Sequence, residues 1–196
     1  MSTQERWLVV GLGNPGPSYK KHRHNFGFMA IHELAERYAL SPSGQKFSSV
    51  CWQGSIAGAS VIAITPQTYM NRSGMAVGEA ARFFKIPLER VVVIHDELDL
   101  PIGKMRIKCG GGHGGHNGLK DIDRTIGQGY WRLRLGIGHP GHKEQVHGHV
   151  LSDFTASEWV LSAPLINAVA QHFPFMFKQE PERLMNAVAL QLGDNT

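Results

Sequence analysis

An unbroken run of β-branched residues at positions 91–94, VVVI, is the feature that most constrains the fold. A strand with one face in water alternates apolar and polar residues, whereas a strand covered on both faces is continuously apolar. The run therefore predicts a central strand with helices on both sides. Because other strand-like segments alternate with segments of helical spacing, we predict an α/β fold: a single domain with a twisted, mixed, mostly parallel sheet surrounded by helices.

The other elements are predicted from spacing and from residues that begin or end helices. Strands are expected near 7–12, 50–56, 60–65, 104–109 and 131–137, and helices near 25–40, 73–84 and 117–126. Thr155 and Glu158 have capping-box spacing, and Pro181 fits the first turn of a last helix. Between them, Pro164 should kink or restart a helix. No linker divides the chain, so we predict one domain over residues 1–196.

Two glycine motifs raise the question of a nucleotide site: GLGNPG at 11–16 and GIGHPG at 136–141. In the first, Pro15 and Pro17 remove amide donors where a pyrophosphate would dock. The carboxylate expected about 20 residues later is missing, because Glu33 and Glu36 lie within the predicted helix. We interpret both motifs as one turn type used twice and predict no cofactor.

A third glycine-rich segment, CGGGHGGHNGLKD at 109–121, resembles a phosphate loop in composition but lacks the GxxxxGK[ST] pattern. Two interpretations remain open. The glycines either bring the backbone close to a bulky ligand and place Asn117 at a helix start, or form a flexible connector.

The sequence lacks the motifs of metal-dependent and covalent catalysis, which limits the mechanisms that it can support. The 11 histidines include no HExxH pair, and Cys51 and Cys109 fit no zinc spacing, so we predict no metal. There is no GxSxG nucleophile elbow. A water molecule activated by a near-neutral histidine is what remains. The absence of a CxxC pair, of a signal-peptide core and of a membrane-length apolar segment predicts a cytoplasmic protein.

Polar residues recur just beyond predicted strands. Asn14, Asn71, Asp96 and Asn117 all follow a strand or the loop after it. In parallel sheets, ligands bind outside the carboxyl ends of the strands, so these side chains are expected to share one rim, although each alone could be a turn or cap residue.

His24 is a candidate base at the start of the first predicted helix. The positive helix end disfavours an imidazolium and a nearby Asp96 would favour it, a balance that suits a general base. From these residues alone, His22 is nearly as good a candidate, and either could be a solvated surface histidine.

Basic residues alternate with apolar ones at 104–108 and 132–134. Lys104, Arg106 and Lys108 share one strand face, and Arg132 and Arg134 share another. With the formal net charge of +4, these strands could form a phosphate-binding patch, and a solvated sheet face is an equally good interpretation.

Taken together, several motifs resemble bacterial peptidyl-tRNA hydrolases in content and order: GLGNPG (11–16), RHN (23–25), YMN (69–71), HDELDLP (95–101), GGGHGGHNGLKD (110–121) and RLRLGIGHPG (132–141). The resemblance runs from Leu8 to at least Leu151. It implies a single α/β domain, a monomer, that hydrolyses the ester between a peptide and the 3′-terminal ribose of tRNA, without metal or cofactor. The family thereby recycles tRNA from prematurely released peptidyl-tRNA.

The same resemblance implies roles for individual residues. His24 would be the general base and Asp96 would orient it. Asn14 would hold the tRNA 3′ end and the site geometry, Asn71 would bind the peptide or polarise its carbonyl, and Asn117 would position water and substrate. Residues implied to line the cleft are Tyr19, Met70 and His116, and those implied to bind tRNA phosphates are Lys108, Arg134 and Lys143.

Two rival functions remain. The fold also occurs in chloroplast splicing-factor relatives that bind RNA or protein without catalysis, and an activity assay would separate them from an enzyme. A metal-dependent hydrolase is the other rival, and it would be sensitive to chelators.

Overall fold

The computed structural model describes residues 5–193, and within this range the chain forms seven strands and seven α-helices. The strands are β1 (Arg6–Gly11), β2 (Ser41–Lys46), β3 (Ser49–Ile56), β4 (Ala59–Pro66), β5 (Val91–Glu97), β6 (Met105–Cys109) and β7 (Trp131–Gly136). The helices are α1 (Phe26–Arg37), α2 (Ser73–Phe84), α3 (Asn117–Ile126), α4 (Val146–Val150), α5 (Ala156–His172), α6 (Pro174–Phe177) and α7 (Pro181–Gln191).

All seven strands belong to one sheet, in the order β2-β3-β4-β1-β5-β7-β6. The four central strands, β4, β1, β5 and β7, are parallel, while β2, β3 and β6 add antiparallel edges. The run at 91–94 lies in β5, between two parallel neighbours, and is buried on both faces. The predicted α/β fold class with a mixed sheet is confirmed.

Helices cover both faces of the sheet. Alternate residues of β1 divide between the two cores: Val9 belongs to the core that also contains residues of α1, α5 and α7, and Val10 to the core that contains residues of α2 and α3. This division follows from the two-residue period of a strand. Among the described helices, none combines the length and the apolar character needed to cross a membrane.

Most predicted elements lie where the spacing placed them, and three local outcomes differ. Helix α5 begins with the predicted capping box at Thr155 and Glu158 and continues through Pro164 to His172, so of the two alternatives predicted at the proline, a kink or a restart, the restart is wrong. Buried Leu165 and Val169 hold the helix against the core beyond the proline, which outweighs one lost backbone hydrogen bond. Strand β2 was not predicted, because its sequence SPSGQK has no apolar alternation. The short helices α4 and α6 were not predicted either.

Candidate active site

Three neighbouring parallel strands end at one cavity. Asn14 follows β1, Asn71 follows β4 and Asp96 lies near the end of β5, and all three line a cavity of about 600 Å³. Because β4, β1 and β5 are adjacent and parallel, their carboxyl ends meet at one edge of the sheet. The structure therefore brings these three predicted residues together.

His24 reaches this cavity through a close contact between helix and sheet. It lies in a 3-10 turn, Arg23–Asn25, directly before α1. The first turn of α1 contains Gly27, where a Cβ would lie 2.3 Å from the carbonyl oxygen of Ile94 and 2.4 Å from the amide nitrogen of Leu12. Only glycine permits this approach, which places the start of α1 against β1 and β5.

The residues on either side of His24 hold its turn in place. The Arg23 guanidinium is buried, donates to the carbonyl oxygen of His149 at 3.0 Å and pairs with Glu158 at 2.7 Å. The Asn25 side chain accepts a hydrogen bond from the Asn14 amide and donates to the Asn14 carbonyl, both at 2.9 Å. His24 is thus fixed between the α5 region and the β1 loop.

Asp96 joins two histidines. Its carboxylate is buried, 3% exposed, and accepts from His24 Nδ1 at 2.9 Å and from His116 Nε2 at 2.8 Å. Burial alone would raise the pKa of Asp96, but the two imidazoles and their hydrogen bonds lower it below its usual value. The pKa of His24 is raised, because the Asp96 charge and hydrogen bond outweigh the opposing effect of burial.

The hydrogen bonds determine which imidazole nitrogen carries each proton. His116 is the N-cap of α3, and its Nδ1 lies 3.2 Å from the amide nitrogen of Gly118 and 3.4 Å from that of Leu119. Backbone N–H groups only donate, so Nδ1 accepts and Nε2 carries the proton that is donated to Asp96. In the neutral His24 ring, Nδ1 likewise donates to the carboxylate, which leaves Nε2 as an acceptor with no partner among the described residues.

The side chains of His24, Asp96 and His116 have the spacing of a metal site, but the hydrogen bonds of His116 do not suit a metal ligand. Ligand atoms of His24, Asp96 and His116 lie within 4.8 Å of one another. However, both nitrogens of His116 are already engaged, one by backbone amides and one by Asp96. A metal ligand at Nε2 would have to lose its proton and its hydrogen bond to Asp96, so this donor set favours a hydrogen-bonded base.

Three asparagines supply further polar groups to the cavity. The Asn14 Oδ1 accepts from the Met70 amide at 2.8 Å, which fixes the side-chain orientation and leaves Nδ2 available as a donor. The side chains of Asn71 and Asn117 line the cavity and are exposed. The cavity therefore combines the acceptor His24 Nε2 with the side-chain amide groups of three asparagines.

Asn117 reaches the rim by a route that the sequence interpretation did not anticipate. Strand β6 is antiparallel to β7, and its last residue, Cys109, pairs with the first residue of β7, Trp131. Strand β6 therefore ends where the parallel strands begin, far from the cavity at their carboxyl ends. The glycine-rich segment 110–116 carries the chain back to the rim, using positive φ angles at Gly110, Gly111, Gly114 and Gly115. Asn117 thus lines the cavity with the other three residues, as expected, but it is the loop after β6 and not the end of the strand that places it there.

The remaining candidates divide into two groups. Met70, His116 and Lys143 line the cavity. Tyr19 is not among the residues that line the cavity. Its ring packs against the ring of Tyr69, which does line the cavity, with 6.4 Å between the ring centroids. His22 lies outside the cavity beside Asp153, at 3.9 Å. The geometry thus distinguishes His24 from His22, a choice that the residue patterns left open and that only the family resemblance made in favour of His24.

The basic residues of β6 and β7 do not form one uniform patch. Arg132 is 1% exposed, pairs with Asp123 at 2.9 Å and lies over the Tyr130 ring, so its predicted place in a phosphate patch was wrong. The reason is that α3 covers this part of the sheet. Arg134 is half-buried and pairs with Glu97 at 2.7 Å, whereas Lys108 is exposed on the edge strand β6.

Two features of the site were missed from the sequence. The hydrogen bond between His116 and Asp96 was not foreseen, although a histidine directly before a predicted helix stands at the N-cap position, where a side-chain acceptor is expected. His147 and Val150 of α4 also line the cavity, and no periodicity marks so short a helix.

The chain is similar to known proteins over most of its length. Residues 8–195 match the family model described as peptidyl-tRNA hydrolase. The chain is 53% identical to a peptidyl-tRNA hydrolase of Rhodospirillum rubrum, over 94% of this chain and 76% of that protein. It is 51% identical to one of Agrobacterium fabrum, over 95% and 78%. The crystal structure of peptidyl-tRNA hydrolase from Acinetobacter baumannii superposes with a TM-score of 0.90 at 41% identity, covering 96% of each chain.

Proposed function

Since this chain belongs to the peptidyl-tRNA hydrolase family, we propose that it hydrolyses the ester of peptidyl-tRNA with a water molecule activated by His24. The observation that carries the assignment of His24 is its hydrogen bonding. Asp96 holds Nδ1 in its protonated form, and Nε2 is left as the acceptor in a cavity lined by three asparagines. This is the arrangement that a general base requires.

In the first step, a water molecule attacks the ester carbonyl carbon while His24 Nε2 takes its proton. The resulting imidazolium is stabilised by the Asp96 carboxylate at 2.9 Å. Negative charge develops on the former carbonyl oxygen, where an N–H donor from Asn71 would stabilise it. Asn14, with Nδ2 available, would hold the ribose end of the substrate, and Asn117 would position the water.

In the second step, the tetrahedral intermediate collapses and the bond to the ribose 3′ oxygen breaks. The leaving oxygen takes the proton from the His24 imidazolium, which regenerates the neutral base. The products are tRNA with a free 3′ hydroxyl and the peptide with a carboxylate, after one proton is lost to solvent. No group beyond His24 has to exchange a proton in this sequence.

The function is tested by incubating the wild-type chain with N-acetyl-aminoacyl-tRNA and measuring the released N-acetyl amino acid. We expect multiple turnovers, and we expect the rate to be unchanged by EDTA, because His116 is already committed to hydrogen bonds. Loss of activity with EDTA that added metal restores would support a metal-dependent hydrolase instead. Binding of tRNA without hydrolysis would support a non-catalytic RNA-binding protein.

For the tRNA backbone, we propose contacts from Lys108 and Lys143, both exposed, and from Arg134. Replacing Lys108 or Lys143 by Ala should weaken tRNA binding and reduce the slope of log Kd against log salt concentration by about one unit, because one phosphate contact is lost. The pH profile should not change. Lys46→Ala is the control and should leave binding unchanged, since Lys46 lies in β2, the outer strand on the opposite side of the sheet from β6. Unchanged slopes in both variants would contradict this contact set.

A further inference from the structure

A second cavity of about 690 Å³ adjoins the catalytic one. Its apolar wall is formed by Phe28, Met29, Trp52, Trp159, Ala163 and Ile166, which come from α1, β3 and α5. Its size is that of a ligand site, and nothing in the hydrolytic steps described above uses it.

The two cavities meet at one residue. Asn14 lines both of them, while its hydrogen-bonded partner Asn25 lines the second, and His24, one residue earlier, lines the first. The ribose that Asn14 is proposed to hold is joined directly to the ester near His24. The peptide therefore begins next to Asn14, and its upstream residues can reach the second cavity by passing this side chain.

The chemistry of the second cavity indicates which part of the substrate enters it. Glu33 and Glu36 lie in its wall with one lysine, Lys20, and Glu33 also pairs with Arg37 at 3.4 Å, so the wall has no excess of positive charge to attract a phosphate backbone. Trp159 is 42% exposed and lies in the same wall as Trp52, so the cavity presents aromatic surface that suits contact with an apolar group.

We propose that the second cavity binds an apolar side chain of the peptide, upstream of the residue that forms the ester. The inference rests on the proposed function, because it assigns the peptide of peptidyl-tRNA as the occupant. Apolar peptide segments gain affinity by removing the exposed surface of Trp52 and Trp159 from water. The enzyme thereby acquires a preference for apolar peptides without any base contact to the tRNA.

The test uses three substrates. N-acetyl-glycyl-tRNA is too short to reach the second cavity, and two N-acetylated tetrapeptidyl-tRNAs end in the same esterified glycine with three phenylalanines or three serines before it. We expect wild-type kcat/KM to favour the phenylalanine substrate about tenfold over the serine substrate, the effect of partly burying one aromatic side chain.

Filling the cavity should abolish this preference. In Ala163→Trp, the ratio between the two tetrapeptide substrates should fall to about one while N-acetyl-glycyl-tRNA is still hydrolysed. Val160→Trp is the matched control on the same helix: Val160 is 70% exposed and does not line the cavity, so the ratio should stay near that of the wild type. If Ala163→Trp does not fold, Trp52→Ala should reduce the ratio by removing part of the wall.

Three results would overturn the proposal. The first is a wild-type ratio of kcat/KM near one between the phenylalanine and serine substrates, and the second is a preference for the phenylalanine substrate that survives in Ala163→Trp. The third is an equal loss of kcat/KM for all three substrates in that variant, which would indicate that RNA occupies the cavity. Failure of the wild type to hydrolyse even N-acetyl-glycyl-tRNA would instead contradict the proposed function itself.

Discussion

Replacing Asp96 by Asn is expected to lower kcat/KM for N-acetyl-aminoacyl-tRNA by about 10³-fold or more, the effect typical of losing the carboxylate that orients a catalytic histidine. Asp96 accepts hydrogen bonds from two N–H donors, His24 Nδ1 and His116 Nε2. An Asn side chain has one acceptor oxygen and would present its own N–H groups to the second imidazole. One histidine must then change its tautomer or move.

The pH dependence of the Asp96→Asn variant tests the contact between His24 and Asp96 independently of the rate. Asp96 raises the pKa of His24, and burial lowers it. Activity requires the neutral ring, so kcat/KM of the wild type should rise with pH through the His24 pKa, and this rise should move to lower pH when the carboxylate is removed.

A matched control for this variant is available in the same region of the chain. Asp153 lies beside His22 as Asp96 lies beside His24, but outside the catalytic cavity. Asp153→Asn should therefore leave both the rate and the pH profile close to those of the wild type. A similar loss of activity in the Asp153 and Asp96 variants would contradict the assigned roles.

Much of the fold could be predicted from short-range patterns. The run at 91–94 identifies the central strand, because only a strand covered on both faces can be continuously apolar. Helices α2 and α3 begin and end at the predicted residues, since Pro87 and the glycines around α3 leave few alternatives. The shared rim of Asn14, Asn71 and Asp96 follows from parallel strand order alone.

The features that could not be predicted depend on contacts between distant residues. Nothing local in the sequence shows that β6 pairs antiparallel with β7, which determines the path of the glycine loop, or that α3 covers Arg132, which buries it. Likewise, the surroundings of His22 and His24 depend on Asp153 and Asp96, which lie far along the chain. The residue patterns alone therefore could not choose between the two histidines, and it was the family resemblance that indicated His24.

Replacing His24 by Ala is expected to lower the rate of ester hydrolysis by about 10²- to 10⁴-fold, the contribution of a positioned general base. Binding of tRNA should be largely retained, because the proposed phosphate contacts come from Lys108, Arg134 and Lys143. Asp96 keeps its hydrogen bond from His116 in this variant, so the buried carboxylate is not left without a donor. A thermal unfolding curve checks that the fold is preserved.

The most direct test of the central claim is the single-turnover hydrolysis of N-acetyl-aminoacyl-tRNA at saturating enzyme, compared between wild type, His24→Ala and His22→Ala. We predict a rate at least about 100-fold below wild type for His24→Ala and a nearly unchanged rate for His22→Ala. A rate for His24→Ala close to that of the wild type would contradict the assignment of His24 as the base.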